Sequence, residues 1–143
     1  MADGCVFCGI IDGRLPAFEV FRDDEAMGFL DRRPLFPGHV LLVPREHHET
    51  LVDLPIAQVG PLFERARTVA GLMEQELGAR GSFVAMNNRV SQSVPHLHVH
   101  VVPRRPKDGL RGFFWPRNPY DDDVHAAAVA DRLAAAYTAI VNG

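Results

Sequence analysis

The chain has 143 residues, a length that predicts one domain, residues 1–143, which can bury a core without disulfide bonds. Its composition, 47% hydrophobic and 23% charged, is typical of a soluble globular protein, and no apolar run approaches the about 20 residues of a membrane span. A formal net charge of −3 argues against a general nucleic-acid binder, although a small phosphorylated substrate needs only local positive charge. The N-terminus lacks the layout of a signal peptide, so we expect a cytoplasmic protein with no membrane or nucleic-acid partner.

In chain order, the sequence first predicts a short helical turn over residues 5–13 and then a β-hairpin. Residues 17–22 alternate like a half-buried strand, two aspartates mark a turn, and residues 26–31 form the returning strand. Proline and glycine then break the chain, and the apolar run over residues 39–44 predicts a third strand.

A long amphipathic helix follows the third strand. Asp53 and Pro55 predict its start, apolar residues recur at spacings of three and four, and Gly78 predicts its end. Residues 82–86 then predict a fourth strand, and residues 87–94 a polar loop.

The most informative segment is the predicted strand over residues 95–102, which contains His96, His98 and His100. Alternate side chains of a strand point to opposite faces, so the three imidazoles share one face and the apolar residues between them share the other. Aligned imidazoles suit proton transfer, attack on phosphorus or metal ligation.

The C-terminal part begins with residues 103–120, which are rich in proline, arginine and aromatic residues. Three aspartates then stand where acids favour a helix N-terminus, and the pattern that follows predicts a second amphipathic helix. Short turns between the strands and two separated helices predict an α+β fold with a mostly antiparallel sheet of about five strands.

Four segments together resemble the histidine triad (HIT) superfamily. Residues 96–102 resemble its His-φ-His-φ-His-φ-φ signature, residues 36–44 its Pro-Gly-His strand, residues 5–11 its N-terminal segment, and residues 86–94 its phosphate loop. The chain looks most like small bacterial HIT hydrolases, close to those acting on diadenosine polyphosphates and nucleoside phosphoramidates. The resemblance implies a HIT-like α+β fold, a homodimer with a sheet continuous across both protomers, and hydrolysis or transfer at the α-phosphate of a purine nucleotide.

The resemblance assigns catalysis to His98 and His100. His98 would be the nucleophile, because an imidazole with an ordinary pKa of about 6.5 is largely neutral at physiological pH and can form a nucleotidyl-histidine. His100 would donate a hydrogen bond or a proton to the phosphate or leaving group, or would only orient His98. His39 would lie behind the triad without acting directly.

The resemblance also implies a substrate site. The carboxylate of Asp31 would accept from the ribose hydroxyls, and the phosphate loop would hold the phosphoryl oxygens. The loop departs from the family pattern, since it is about two residues shorter and carries Ser91 where glycine is typical. The loop donors would be Asn87, Gln92 and Ser93. The base slot would be lined by Phe7, Ile10, Leu15, Phe29 and Leu30.

Cys5 and Cys8 form a Cys-x-x-Cys pair, which in a cytosolic chain indicates metal or redox chemistry rather than a structural disulfide. In the bacterial branch with such a pair, the resemblance implies a closed zinc site completed by His47 and His96. In the general family pattern, His96 instead supports the hydrogen bonds of the active site.

Two other functions remain open from the sequence. The same pocket would suit a nucleotide-binding module with little turnover that acts through a protein partner. Alternatively, the three histidines would be ligands of a catalytic metal, a class that the two long helices argue against. The basic and aromatic residues of segment 104–120 would bind extended phosphates or a second base, or form a solvated surface.

Overall fold

The structure is a computed structural model that describes residues 3–111 and 116–143. The chain divides into two compact units, Met1–Asp108 and Gly109–Gly143. The helices are α1 (Val6–Ile11), α2 (Ile56–Leu77) and α3 (Asp123–Val141), and the strands are β1 (Glu19–Arg22), β2 (Ala26–Leu30), β3 (Val40–Pro44), β4 (Gly81–Ala85) and β5 (Val99–Arg104).

The first unit is built on one five-stranded sheet with the order β1-β2-β3-β5-β4, in which every pair of neighbours is antiparallel. The register pairs Leu41 of β3 with His100 of β5, and Ala85 of β4 with the same histidine. The predicted α+β fold, with a mostly antiparallel sheet of five strands and two main helices, is confirmed.

Helix α2 covers one face of the sheet. Its apolar stripe of Leu62, Ala66, Val69 and Met73 is buried, and it packs against β3, β4 and β5. The burial of each of its larger side chains, those of Leu62, Val69 and Met73, contributes roughly 1.5–3 kcal/mol. As predicted, the helix ends at Gly78, which adopts the left-handed conformation that favours glycine.

The opposite face of the sheet is covered by α1. Side chains alternate along β2 and β3, so that Met27, Phe29, Leu41 and Val43 point away from α2 and pack with Phe7, Ile10 and Ile11. Because both faces are covered, β2 and β3 are buried almost continuously.

The histidine strand begins later than the sequence predicts. Strand β5 starts at Val99, so only His100 of the three histidines lies within it. Pro95 has no N–H to offer a ladder, the N–H of His96 donates to the Val94 carbonyl (2.8 Å), and that of Leu97 donates to the His48 carbonyl (2.7 Å). The backbone before β5 is therefore bonded to loops rather than to a neighbouring strand.

The second unit contains α3, which begins at Asp123, the third of the aspartates that predict its N-terminus. The Asp122 carboxylate caps the helix by accepting from the backbone N–H of His125 at 2.8 Å. Length and composition alone would allow this helix, among those described, to cross a membrane, which is weak evidence by itself. The aromatic residues Phe113, Phe114 and Trp115 of segment 104–120 lie outside the described residues.

Candidate active site and metal centre

His98 lies immediately before β5 and is buried. Its Nδ1 is 2.8 Å from the backbone carbonyl of His96, which can only accept, so Nδ1 carries the proton and Nε2 keeps a lone pair. Burial lowers the pKa of His98 below its ordinary value, although the hydrogen bond to His96 opposes that shift. At neutral pH this side chain is therefore an uncharged imidazole with a free Nε2, the form that a nucleophile requires.

His100 lies on β5 beside His98, with the two ring centroids 5.0 Å apart. Its Nδ1 lies 2.9 Å from Nε2 of His39, so the two side chains share a hydrogen bond. Burial, together with the neighbouring His98 and His39, lowers the pKa of His100 to about 4. The ring is consequently neutral near pH 7.

His39 is placed by the turn that precedes β3. Gly38 has a φ of +101°, which favours glycine, and a side chain there would collide with Leu77. His39 itself is 3% exposed, and burial lowers its pKa while Asp31 opposes the shift. Its ring lies next to that of His100, with the two centroids 5.1 Å apart.

Asp31 follows β2 and faces both the histidines and the pocket. One carboxylate oxygen, Oδ1, accepts from the backbone N–H of Arg33 at 2.9 Å. The other, Oδ2, lies 3.8 Å from Nε2 of His39. Asp31 also lines the neighbouring apolar cavity, so its second oxygen can accept from a bound hydroxyl group.

That cavity has a volume of about 340 Å³, within the range of small-molecule sites. All five predicted base-slot residues line it: Phe7, Ile10, Leu15, Phe29 and Leu30. Sequence reasoning missed Val6, Pro16, Ala17, Arg32 and Leu41, which also line it. The alternation along β3 could have found Leu41, because this residue shares a face with Val43.

The predicted phosphate loop is held by its own side chains. The Gln92 amide oxygen accepts from the N–H of Arg89 (2.8 Å), and its nitrogen donates to the Glu49 carbonyl (2.6 Å). Asn87 donates to the Ser91 carbonyl at 3.2 Å. In this geometry, both ends of the Gln92 side chain hold the loop.

The absence of glycine at position 91 affects the backbone conformation of this loop. Ser91 has a φ of +59° and Arg89 a φ of +68°, both in the left-handed region. Each non-glycine residue in this region costs roughly 1–2 kcal/mol of conformational free energy relative to glycine. The loop therefore keeps the backbone conformation that glycine favours, although the residue at this position is serine. Val94, which follows Ser93, packs against the apolar residues of α1, β2 and β3, and this contact places the end of the loop beside the cavity.

Four side chains form a candidate metal centre: Cys5, Cys8, His47 and His96. Cys8 Sγ lies 3.3 Å from His47 Nδ1 and 3.6 Å from His96 Nδ1, and Cys5 Sγ lies 3.6 Å from His96 Nδ1. Tetrahedral zinc with ordinary Zn–S and Zn–N bonds separates such donor pairs by about 3.6 Å. The donor set and its spacing therefore fit zinc.

The surroundings of His96 support this assignment. Its Nε2 donates to the Pro44 carbonyl at 2.8 Å, which leaves Nδ1 unprotonated and directed at the two thiols. His48, the neighbour of His47, lies outside the cluster. The three histidines thus do not converge on one metal, because His96 faces the cysteines while His98 donates to a carbonyl.

The basic residues that open segment 104–120 already have partners. Arg104 Nε lies 2.6 Å from Asp108 Oδ2, and the backbone N–H of Arg105 donates to the same oxygen at 3.0 Å. The Arg105 guanidinium contacts the Leu77 carbonyl at the end of α2. These two arginines hold the turn after β5.

Residues 12–107 match the family model of the HIT domain. The chain belongs to the HIT family. Adenosine 5'-monophosphoramidase HNT1 of Candida albicans is 30% identical to it over 125 residues, which cover 83% of this chain and 82% of that protein. Adenylylsulfatase HINT3 of Arabidopsis thaliana is 30% identical over 112 residues, which cover 77% of this chain but only 57% of that protein.

A solved HIT structure bears on the metal centre. The crystal structure of a Zn-bound histidine triad family protein from Mycobacterium smegmatis superposes with a TM-score of 0.72 at 34% identity, covering 92% of this chain and 97% of that chain. A zinc-bound relative and a four-donor cluster of suitable spacing together support metal binding by this HIT protein.

Proposed function

We propose that this HIT protein is a nucleotide hydrolase or nucleotidyl transferase that cleaves purine nucleotide conjugates at the α-phosphate, with His98 as the nucleophile. The observation that carries the proposal is the hydrogen bond from His98 Nδ1 to the His96 carbonyl, which leaves Nε2 unprotonated. Phe7 lies against the His98 ring, 5.0 Å between centroids, and also lines the apolar cavity. A base in that cavity would thus have its phosphate near His98.

The chemistry has two steps. The Nε2 lone pair of His98 attacks the α-phosphorus, a P–N bond forms, and the bond to the leaving group breaks as that group takes a proton from solvent, while the Nε2–H of His100 donates a hydrogen bond to it. Water then attacks the same phosphorus and loses a proton to solvent, and the P–N bond breaks to release the nucleoside monophosphate. The His96 carbonyl stabilises the positive charge on the His98 ring during the intermediate.

The remaining parts of the site have supporting roles in this proposal. Asp31 accepts from the ribose hydroxyls, and the loop carrying Asn87 and Ser93 donates to the phosphoryl oxygens. Zinc at the cysteine–histidine cluster would cross-link α1 to the segments carrying His47 and His96. The expected homodimer and cytoplasmic location belong to the same proposal.

The substrate class follows from the relatives named above. A phosphoramidase and an adenylylsulfatase both act on an adenylate joined to a leaving group. A suitable panel is therefore adenosine 5′-phosphoramidate, adenylyl sulfate and a diadenosine polyphosphate, each assayed for release of AMP.

The test compares His98→Ala with the wild-type protein on this panel, and His125→Ala, an exposed histidine of α3, is the matched control. We expect kcat to fall at least about 10³-fold for His98→Ala, because the nucleophile is lost, and to change little for the control. Equal rates in wild type and His98→Ala would overturn the proposal. Tight AMP binding without turnover in the wild type would support the binding-module alternative instead.

A further inference from the structure

We infer that His39 is a positioning residue that determines which ring nitrogen of His100 carries the proton. The backbone N–H of Leu35 fixes the tautomer of His39, and it thereby sets the direction of this series of hydrogen bonds, which we call the relay. The inference rests on the proposed function, because it concerns the hydrogen-bond donor to the leaving group in that site. It concerns three groups in series: an amide N–H, a buried imidazole and the partly buried His100.

The relay starts at Leu35, whose backbone N–H lies 3.1 Å from Nδ1 of His39. An amide N–H can only donate, so Nδ1 must accept and the proton of neutral His39 sits on Nε2. The backbone of His39 is held on both sides, since its N–H donates to Phe36 and its carbonyl accepts from Asp31. The ring therefore has a fixed position and one favoured tautomer.

The second link is the 2.9 Å contact between His39 Nε2 and His100 Nδ1. With its proton on Nε2, His39 is the donor and His100 Nδ1 must accept. The competing acceptor is Asp31, but its Oδ2 is 3.8 Å from His39 Nε2, beyond hydrogen-bond distance. Neutral His100 then carries its own proton on Nε2.

The two neighbouring imidazoles are consequently fixed in opposite tautomers. His98 carries its proton on Nδ1 and has a free Nε2, whereas His100 has an accepting Nδ1 and an N–H at Nε2. His98 therefore offers a lone pair at its Nε2, and His100 offers a hydrogen-bond donor at its own Nε2. A reversed His100 would present a lone pair there and could not donate a hydrogen bond to the leaving group.

The deciding experiment uses Leu35, whose side chain is 52% exposed. Leu35→Pro removes the N–H, and Leu35→Ala keeps it and is the matched control. Nitrogen-15 NMR of labelled histidines distinguishes protonated from unprotonated ring nitrogens. We expect Nε2 of His100 to carry the proton in the wild type and in Leu35→Ala, and a mixed or reversed tautomer in Leu35→Pro.

The kinetic readout compares two leaving groups. We expect kcat for adenosine 5′-phosphoramidate, whose poor leaving group needs a hydrogen-bond donor, to fall at least about 10-fold in Leu35→Pro. For the p-nitrophenyl ester of AMP, whose leaving group needs none, we expect less than about a 2-fold change. A purely structural role would lower both rates together, and that result would overturn the inference.

A second pair of variants decides the matter if Leu35→Pro does not fold. His39→Gln keeps an acceptor for Leu35 and a donor for His100, whereas His39→Leu keeps neither. We expect His39→Gln to retain most of the phosphoramidate activity and His39→Leu to lose it selectively. A wild-type His100 with its proton on Nδ1, or equal loss in both variants, would contradict the relay, while an active His98→Ala would contradict only the proposed function.

Discussion

At the scale of single residues, Phe7 connects the parts of the site. Its ring centroid lies 5.0 Å from that of His98, 5.4 Å from Phe29 in the cavity and 5.9 Å from His96 of the metal centre. All three contacts are edge-on, a geometry that contributes about 0.5–1.5 kcal/mol beyond burial. Phe7 therefore holds His98, the proposed nucleophile, and the wall of the apolar cavity in a common arrangement.

We predict that Phe7→Leu raises KM for a nucleotide substrate about 3- to 10-fold, because the ring contacts are lost while the side chain stays apolar. Steady-state kinetics with adenosine 5′-phosphoramidate measure this effect. Phe63→Leu, at a half-exposed position on α2, is the matched control. An unchanged KM in Phe7→Leu would show that Phe7 does not shape the nucleotide site.

Residue by residue, the sequence predicts the composition of the site better than its hydrogen bonds. The five base-slot residues do line one cavity, and the four metal-site residues do form one cluster. The partners of Gln92 and His39 were not predictable, because Gln92 binds the Glu49 carbonyl 43 residues away and His39 binds a backbone N–H in a turn. Such contacts depend on which loops lie next to each other in the fold, and this cannot be predicted from residue type alone.

At the scale of elements, α1 joins the candidate metal centre to the apolar cavity. It has six residues, too few to be stable alone, and Cys5 caps its first turn by accepting from the N–H of Cys8 at 3.4 Å. Both cysteines belong to the metal cluster, while Phe7 and Ile10 of the same helix line the cavity. A metal bound to the cysteines would therefore fix one wall of the pocket.

We predict that removing zinc with a chelator speeds amide hydrogen exchange in α1 and raises KM for nucleotide more than it lowers kcat. Exchange in α2 is the internal control, because that helix is held by its own apolar stripe. Restoring zinc should reverse both effects, and Cys8→Ser should reproduce them. Equal α1 exchange with and without metal would contradict this role.

The start of β5 shows where element prediction fails. Alternating polarity over residues 95–102 indicates a strand, and the buried Leu97, Val99 and Val101 confirm the apolar face. The first part of this run nevertheless bonds to the His48 carbonyl and to Val94 rather than to a strand. The pattern predicts the apolar face, although His96 and His98 on the other face are buried as well, and the non-local partner decides where the ladder begins.

At the scale of the whole molecule, the sheet of the first unit ends at β1 and β4. Unpaired edge strands offer a row of N–H and C=O groups to another chain, and Val84 on β4 is half-exposed. A homodimer with a continuous sheet, which the family resemblance implies, stays a prediction. We expect sedimentation equilibrium to give twice the chain mass of 15.8 kDa, whereas a monomer at micromolar concentration would contradict it.

The most direct measurement of the central claim is a rapid-quench reaction of the wild-type protein with radiolabelled AMP conjugate, followed by peptide mass spectrometry. We predict an acid-labile, base-stable adenylate bonded to Nε2 of His98, formed and consumed at rates compatible with kcat. The same peptide from His98→Ala should carry no label. Steady turnover without any adenylated His98, or an adenylate on another residue, would contradict the account.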